Sequence, residues 1–161
     1  MKKELVIIAH NIRSAHNVGA FFRTADGAGI SKLYLTGYTQ APFDPEKDKR
    51  ETKAQRGLGK TALGAVEFVD WEKRENVLDL IKELKARGFR VLGLEKTAQS
   101  QNIFESEPIF PCALILGNET DGIDEEILKE CDCILEIPMR GKKESLNVSV
   151  AAGIGMYLIS R

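Results

Sequence analysis

Short apolar runs alternate along the chain with segments whose apolar residues recur every three or four positions. The predicted strands are residues 5–9, 33–36, 66–69, 89–94, 112–116 and 134–137. The predicted helices are residues 18–28, a segment from Val77 to a stop at Gly88, a short acidic helix begun by Asp124, and residues 146–160. This alternation predicts an α/β fold with a mostly parallel sheet and helices on both faces.

Residues 37–60 interrupt the alternation and predict a long loop, because they show no clear period. From Lys47 to Lys60 the chain has six basic and two acidic residues, whereas the net charge of the whole chain is -1. A loop this long in a compact chain is usually functional or mobile. The segment is therefore either a solvated loop or a contact surface for a polyanion.

The composition is that of a globular protein with one domain. The chain has 161 residues, 43% of them hydrophobic and 29% charged. We expect a cytoplasmic protein, because we find neither an apolar run long enough to cross a membrane nor a secretory signal. Its three cysteines form an odd, sparse set, which predicts reduced thiols and no disulfide framework.

Three polar loops follow predicted strands at the sheet edge where parallel sheets bind ligands. In the first, Asn17 is a candidate N-cap, and Arg23 suits either a surface position or contact with an anion. The second contains Glu119, which a plain turn would not require. In the third, capping of the last helix explains either Ser145 or Asn147 but not both. These five side chains are candidates for the chemistry.

In this order, the loops resemble the three motifs of the SpoU/TrmH family of RNA ribose 2'-O-methyltransferases, in the SPOUT superfamily. The matching segments are Asn17-Val18-Gly19-x-x-x-Arg23-Thr24-Ala25, Leu116-Gly117-Asn118-Glu119-x-x-Gly122 and Ile137-Pro138-Met139…Ser145-Leu146-Asn147-Val148-Ser149. Residues 60–65 are similar to the family's connecting sequence, and the similarity covers nearly the whole chain. Three spaced motifs with intact polar residues are far more specific than one short pattern.

The resemblance implies an architecture that periodicity alone does not reveal. It implies a single methyltransferase domain over residues 1–161, with no separate RNA-recognition domain. A deep trefoil knot would occupy roughly residues 112–161, an exception to the general absence of knots. The active form would be a homodimer with its site at the subunit interface.

The resemblance also implies an activity, namely S-adenosylmethionine-dependent methyl transfer to a ribose 2'-hydroxyl of tRNA or rRNA. It implies S-adenosylhomocysteine as the product, and neither a metal nor a membrane as partner. The implied catalytic residues are Asn17, Arg23, Glu119, Ser145 and Asn147. The implied cofactor-binding residues are Leu94, Glu95, Gly117, Ile137 and Leu146. The basic residues expected to bind RNA are Lys49, Arg50, Lys53, Arg56 and Lys60.

Three alternatives remain open at this point. The chain could be a base-methylating enzyme of the same superfamily, or a catalytically inactive RNA-binding module with the same fold. It could also be an unrelated small α/β enzyme that uses a nucleotide. The paired polar residues of the first and third loops favour ribose over a base as the methyl acceptor.

Overall fold

A parallel sheet forms the centre of the structure, a computed structural model that describes residues 3–161. The strands are β1 (Leu5–His10), β2 (Lys32–Thr36), β3 (Trp71–Arg74), β4 (Arg90–Leu94), β5 (Gln101–Asn102), β6 (Cys112–Leu116) and β7 (Cys133–Glu136). Their order in the sheet is β3-β2-β1-β6-β4-β7-β5, and every pair of neighbouring strands is parallel. The predicted α/β class with a parallel sheet is therefore confirmed.

Helices cover both faces of this sheet. They are α1 (Ala15–Ala28), α2 (Lys53–Ala62), α3 (Val77–Ala86), α4 (Glu125–Lys129) and α5 (Val148–Ser160). Alternate residues of β1 point to opposite faces, so that Ile7 joins a core with α1, α2 and α5, whereas Ile8 joins a second core with α3 and α4. Both isoleucines are fully buried. The two cores hold the strand ends, and hence the loops that follow them, in fixed positions.

The first helix begins three residues earlier than predicted. Its N-cap is Ser14, whose hydroxyl oxygen accepts a hydrogen bond from the Asn17 backbone N–H at 3.3 Å. The N-cap prediction for Asn17 is therefore wrong, because the Asn17 side chain is bonded to Glu119 instead. The predicted stop is confirmed, since Gly29 adopts φ 67° and its N–H bonds the carbonyls of the last turn.

The predicted loop over residues 37–60 contains the start of a helix. Thr52 and Gln55 form a reciprocal capping box that begins α2. The buried face of α2 includes Leu58 and packs closely on Gly19 of α1, where an added Cβ would lie 2.2 Å from the Leu58 carbonyl oxygen. A face this poor in large apolar residues gives little periodic signal, which is why the helix escaped prediction.

The predicted strand over residues 66–69 is also wrong. Residues Ala65–Glu67 form a 3-10 turn after Gly64, which adopts φ 85°, and β3 begins only at Trp71. The other predicted strands and helices are confirmed to within two or three residues at their ends. The last helix begins at Val148, with Asn147 rather than Ser145 as its N-cap. The short strand β5 and the 3-10 turn Ile103–Glu105 lay in a segment predicted as a loop.

Candidate functional site

A cavity of about 480 Å³ lies at the carboxyl ends of β4, β6 and β7. Its volume is within the roughly 300–1,000 Å³ that is usual for small-molecule sites. The sequence-predicted residues that line it together are Leu94, Glu95, Gly117, Glu119, Ile137, Ser145 and Leu146. All five residues expected to bind the cofactor are therefore in one place, and two of the expected catalytic residues are beside them.

The loop after β6 forms one wall of this cavity and is folded tightly on itself. Asn118 and Gly122 exchange two backbone hydrogen bonds at 3.0 Å each. A Cβ on Gly117 would lie 2.6 Å from the Gly122 carbonyl carbon, so the glycine is required by the loop itself. The chain's own loop occupies the space that a side chain at this position would need.

Glu95 holds the same loop from the neighbouring strand. One of its carboxylate oxygens accepts a hydrogen bond from the Ile123 N–H at 3.0 Å, and the other accepts one from the Lys96 N–H at 2.9 Å. Gly122 adopts φ 71° and passes so close that a Cβ there would lie 2.2 Å from the carboxylate. Glu95 therefore shapes the cavity wall as well as lining it.

Asn118 is a site residue to which the sequence reasoning gave no role, although it stands in the Gly-Asn-Glu segment. Its Nδ2 donates to the Asn11 carbonyl at 3.0 Å and to the Tyr38 hydroxyl at 2.7 Å. Its Oδ1 accepts from the N–H groups of Thr120 and Asp121, both at 2.8 Å. Asn118 is only 8% exposed, so one buried side chain joins three loops through these bonds.

Glu119 joins the cavity to the start of α1. Its carboxylate accepts hydrogen bonds from the backbone N–H of Arg13 at 2.9 Å, that of Ser14 at 3.0 Å, and Asn17 Nδ2 at 3.0 Å. Partial desolvation tends to raise the pKa of Glu119, but these hydrogen bonds outweigh it, so the pKa lies below the usual glutamate value. The carboxylate is therefore ionised at neutral pH and faces the positive end of a helix.

The cavity lining is strongly acidic. Its carboxylates are those of Glu95, Glu119, Asp121, Glu136 and Glu144, and they stand against the single ammonium group of Lys96. A cleft lined mainly by one sign of charge concentrates ligands of the opposite sign. The lining therefore suits a ligand with positive charge, while its leucine, isoleucine and methionine side chains suit an apolar portion.

Arg23 lies in a different place from the other expected catalytic residues. It lines a second cavity of about 600 Å³ between α1, α2 and α5, and it does not line the first. Its neighbours there are Ala20, Thr24, Lys60, Thr61, Leu63 and Tyr157. Two cationic side chains and the Thr24 hydroxyl in one concave surface are chemistry suited to a phosphate group, whereas the Thr61 hydroxyl already donates to the His16 carbonyl.

Asn147 is occupied in capping α5. Its Oδ1 accepts hydrogen bonds from the Ser149 N–H at 2.8 Å and the Ser149 hydroxyl at 2.6 Å. Unlike Ser145, Asn147 does not line the first cavity. The structure thus joins Asn17 to Glu119, places Ser145 at the same cavity, and leaves Arg23 and Asn147 outside it within one chain.

The basic residues expected to bind RNA form an exposed surface. Lys49 and Arg50 precede α2, whereas Lys53, Arg56 and Lys60 project from it, and all five are exposed. Only Arg56 among them has an ion-pair partner in residues 3–161, Glu51, at 3.5 Å. Lys60 also lines the second cavity, so this surface is continuous with the position of Arg23.

Other kinds of site find little support in the described part of the chain. The three cysteines are free, and burial raises the pKa of the Cys112 thiol to about 12 and that of Cys131 to about 11. Both thiols are therefore protonated and unreactive at neutral pH. Within residues 3–161 there is no cluster of three or more potential metal ligands, and no helix is long and apolar enough to cross a membrane.

Comparison with known proteins identifies the family. The model of the SpoU rRNA Methylase family matches residues 4–157, nearly the whole chain. The chain belongs to the SpoU rRNA methylase family. A curated relative from Aquifex aeolicus (strain VF5), named tRNA (guanosine(18)-2'-O)-methyltransferase, is 34% identical over 160 residues, which are 99% of this chain and 70% of that protein.

Other SpoU family members agree with this assignment. The 23S rRNA (guanosine-2'-O-)-methyltransferase RlmB of Ralstonia nicotianae is 33% identical over 95% of this chain and 57% of its own. A crystal structure of AdoMet-bound rRNA methyltransferase from Sinorhizobium meliloti superimposes with a TM-score of 0.85 at 27% identity, covering 98% of this chain and 56% of that one. The chain spans about 55–70% of the length of these curated relatives.

Proposed function

We propose that this chain transfers the methyl group of S-adenosylmethionine to a ribose 2'-hydroxyl of tRNA or rRNA, and releases S-adenosylhomocysteine. The observation that carries the proposal is the acidic cavity at the carboxyl ends of β4, β6 and β7, where residues of the second and third motifs converge. The family assignment and the named activities of the relatives support it. A relative's structure is described as AdoMet-bound, which supports the cofactor.

The cavity fits S-adenosylmethionine by its chemistry. Five carboxylates suit the positive sulfonium and amino groups, and apolar side chains such as Leu94, Ile137 and Leu146 suit the adenine ring. When bound, the cofactor supplies a methyl group already activated by its positive sulfur. Within residues 3–161 no metal site accompanies the cavity, and methyl transfer from a sulfonium does not require one.

The residues of this chain would act by positioning and by stabilising charge. Glu119 holds Asn17 and the first turn of α1 against the cavity, so that these groups and the Ser145 hydroxyl can orient the ribose. Accurate positioning of a nucleophile supplies several kcal/mol toward the reaction barrier.

Arg23 would hold a substrate phosphate or stabilise the developing alkoxide. It is a poor proton acceptor, since guanidinium groups remain protonated in proteins, so we assign it an electrostatic role rather than that of a base. Asn147 would orient the ribose or Arg23 from the start of α5, through the amide nitrogen that capping leaves available.

A homodimer would bring the separated groups together. In one chain Arg23 and the cavity residue Ser145 lie in different cavities. Helix α5 has exposed apolar residues, Val150 at 50% and Tyr157 at 55%, which lie on one stripe of the helix. Association through this helix would cover that stripe, and a second copy could then supply Arg23 to each cavity.

Further expectations about architecture and location accompany this proposal. We propose that residues 1–161 act as one methyltransferase domain. We also propose that roughly residues 112–161 are threaded as a trefoil knot. The position of β4 between β6 and β7, together with the packing of α5 on α1, supports such threading. The cytoplasmic location stays a prediction.

A transfer assay separates the proposed activity from its alternatives. Purified protein is incubated with tritiated S-adenosylmethionine and total tRNA or rRNA from cells that lack it, and the RNA is digested to nucleosides. Tritium in 2'-O-methyl nucleosides is the expected result, whereas tritium in a base would support the base-methylating alternative. RNA and cofactor binding without transfer would support an inactive module. A protein that binds neither RNA nor S-adenosylmethionine would exclude the proposed activity, the base-methylating alternative and the inactive module. That result would favour an unrelated activity.

A further inference from the structure

Tyr38 is an exposed aromatic residue that the cavity and the basic surface leave without a role. It follows β2, at the same carboxyl edge of the sheet as the acidic cavity, and it is 59% exposed. An aromatic ring that is mostly in water contributes little to the core. The packing of the protein therefore does not explain its presence there.

The Tyr38 side chain is held at its tip and its backbone is held beneath it. The hydroxyl oxygen accepts a hydrogen bond from Asn118 Nδ2 at 2.7 Å. The backbone N–H donates to Asn11 Oδ1 at 3.1 Å. With both ends bonded, the ring has a defined orientation although the residue is 59% exposed.

The backbone beside Tyr38 has a defined conformation. Gly37 adopts φ 60° and Asn11 adopts φ 52°, in the left-handed region that glycine and asparagine tolerate best. Lys73 Nζ donates hydrogen bonds to the carbonyl oxygens of Gly37 and Thr39, on either side of the tyrosine. These bonds fix the backbone from which the Tyr38 side chain projects.

The surroundings of Tyr38 indicate what could bind to its ring. Asn118, its hydrogen-bond partner, lines the acidic cavity, so the ring lies beside the cavity rim. Farther along the connection that carries Tyr38, the exposed basic residues Lys49 and Arg50 precede α2. A nucleic acid whose ribose reaches the cavity would thus have an aromatic face on one side and cationic groups for its phosphates. Aromatic rings beside basic grooves stack unpaired bases.

We propose that Tyr38 is a stacking platform for an unpaired nucleobase of the RNA substrate, at or beside the nucleotide whose ribose is methylated. This inference rests on the proposed function and narrows its substrate class. The enzyme acts on a nucleotide in a loop or other single-stranded segment, because a base paired within a helix cannot present its face to the ring.

Binding to RNA with and without bases tests the inference. The probes are fluorescently labelled single-stranded oligoadenylate and an abasic ribose-phosphate oligomer of equal length, measured by anisotropy at one salt concentration. We expect wild type to bind the oligoadenylate about tenfold or more tightly than the abasic oligomer. Tyr38→Ala and Tyr38→Leu should lose this ratio, and Tyr38→Phe should keep it because the ring remains.

Phe68→Ala is the matched control. Phe68 is 76% exposed and precedes β3, so it lies at the opposite edge of the parallel sheet from Tyr38. Removal of its ring should leave the binding ratio unchanged. Binding of S-adenosylhomocysteine is measured in parallel to compare the cavity in each variant. A purely structural role through the Asn118 hydrogen bond would reduce the oligoadenylate ratio in Tyr38→Phe as much as in Tyr38→Ala, because both lack the hydroxyl. A stacking role keeps the ratio in Tyr38→Phe and loses it in Tyr38→Ala.

The outcomes for stacking and for catalysis are separate. A wild-type protein without base-dependent affinity, or a Tyr38→Ala variant that keeps it, overturns the stacking inference even if methyl transfer to RNA occurs. The expected loss of the ratio in a protein that transfers no methyl group supports stacking but rejects the proposed enzyme activity. Absence of any RNA binding rejects both.

Discussion

Glu119 is the residue that ties the loop after β6 to the start of α1. Three donors converge on its carboxylate, two of them N–H groups at the N-terminus of α1. Those N–H groups have no partner within the helix, so the carboxylate acts as a cap supplied from a distant part of the chain. A negative charge at this position also interacts favourably with the helix dipole.

The substitution Glu119→Gln tests this role. Loss of the charge should lower the free energy of unfolding at pH 7 by about 1–2 kcal/mol, in the range of N-cap and charge-assisted hydrogen bonds. The measurement is equilibrium denaturation in urea. Glu105→Gln is a suitable control, because the Glu105 carboxylate is exposed and its side-chain partner, Asn102, lies on the same turn.

The pH dependence of this difference has a definite sign. The pKa of Glu119 is lowered in the folded protein, so its contribution to stability is present above the usual glutamate range. This contribution is lost as pH falls through the lowered pKa, because the protonated carboxyl group is neutral and its hydrogen bonds are no longer charge-assisted. The stability difference between wild type and Glu119→Gln should therefore shrink from pH 7 to pH 3. A difference that is constant over this range would contradict the assignment.

At the scale of helices, glycines decide how closely α1 and α2 approach. An added Cβ at Gly19 would lie 2.0 Å from the Thr61 hydroxyl oxygen and 2.2 Å from the Leu58 carbonyl oxygen. The second contact cannot be relieved without separating the helices, since the Leu58 carbonyl oxygen belongs to the backbone. The Thr61 hydroxyl also donates to the His16 carbonyl at 2.8 Å, which fixes the two helices in this arrangement.

Gly19→Ala should therefore destabilise the protein by about 1–3 kcal/mol, the usual cost of overpacking a tight contact. Gly59→Ala is the matched control on α2, because nothing lies within 4 Å of its added Cβ. That control should instead increase stability by about 0.5–1 kcal/mol through helix propensity. Thermal unfolding of both variants checks the prediction, and equal effects of the two substitutions would contradict it.

The same close packing explains the limits of sequence reasoning at this scale. The buried face of α2 is formed by Gln55, Gly57, Leu58 and Ala62, so apolar periodicity is nearly absent from it. The capping pair Thr52 and Gln55 was a readable start signal. In contrast, Val66 and Phe68 alternate with polar residues as in a strand, although Gly64 with its positive φ turns the chain there.

Some residues of the candidate site can be predicted from the sequence and others cannot. Residues directly after buried strands, such as Glu95, Gly117 and Ile137, could be predicted to line one cavity because parallel strands end at a common edge. The partners Asn118 and Tyr38 could not, because their hydrogen bond joins loops 80 positions apart in the chain. Strand order and turn conformation, which periodicity does not encode, bring them together.

The basic character of α2 and the segment before it gives a prediction about RNA affinity. Reversal of Lys49, Arg50 and Arg56 to glutamate should weaken RNA binding and reduce the slope of log affinity against log salt by about 2. The control reverses Lys82, Arg87 and Lys129, on or next to α3 and α4, which changes the net charge equally on the opposite face of the sheet. Titrations at several salt concentrations measure both slopes. Equal slopes of log affinity against log salt in the two variants would show that Lys49, Arg50 and Arg56 are solvated surface residues with no specific contact to RNA.

At the scale of the whole molecule, the distribution of charge separates two tasks. The acidic cavity favours a cationic ligand and repels phosphates, whereas the surface with Arg23, Lys60 and the other basic residues of α2 attracts them. In the proposed function, RNA would therefore be directed to the α2 side, and only a ribose hydroxyl would need to reach the cavity rim. Within one chain the two regions do not share a cavity. The decisive question is therefore whether Arg23 of one copy lies at the acidic cavity of the other copy in a dimer.

Heterodimers of inactive chains answer that question. Arg23→Ala and Ser145→Ala chains are co-expressed with different affinity tags and the mixed dimer is isolated by two purification steps. If each site combines Ser145 of one copy with Arg23 of the other, one site in this dimer is intact. The mixed dimer should then show about half of wild-type methyl transfer, while each variant alone shows almost none.

The matched control is a dimer of wild type with the double variant Arg23→Ala/Ser145→Ala. A shared site leaves both of its sites defective, because each contains one substituted residue, so it should be inactive. Sites formed within single chains predict the reverse, with about half activity in this control and none in the first dimer. The two dimers contain the same four substituted and unsubstituted residues, so differences in stability cannot account for the result. The activities of the two mixed dimers thus show whether Arg23 acts at the cavity of its own chain or at that of its partner. If only monomers can be purified, the proposal of a site shared between two copies is rejected.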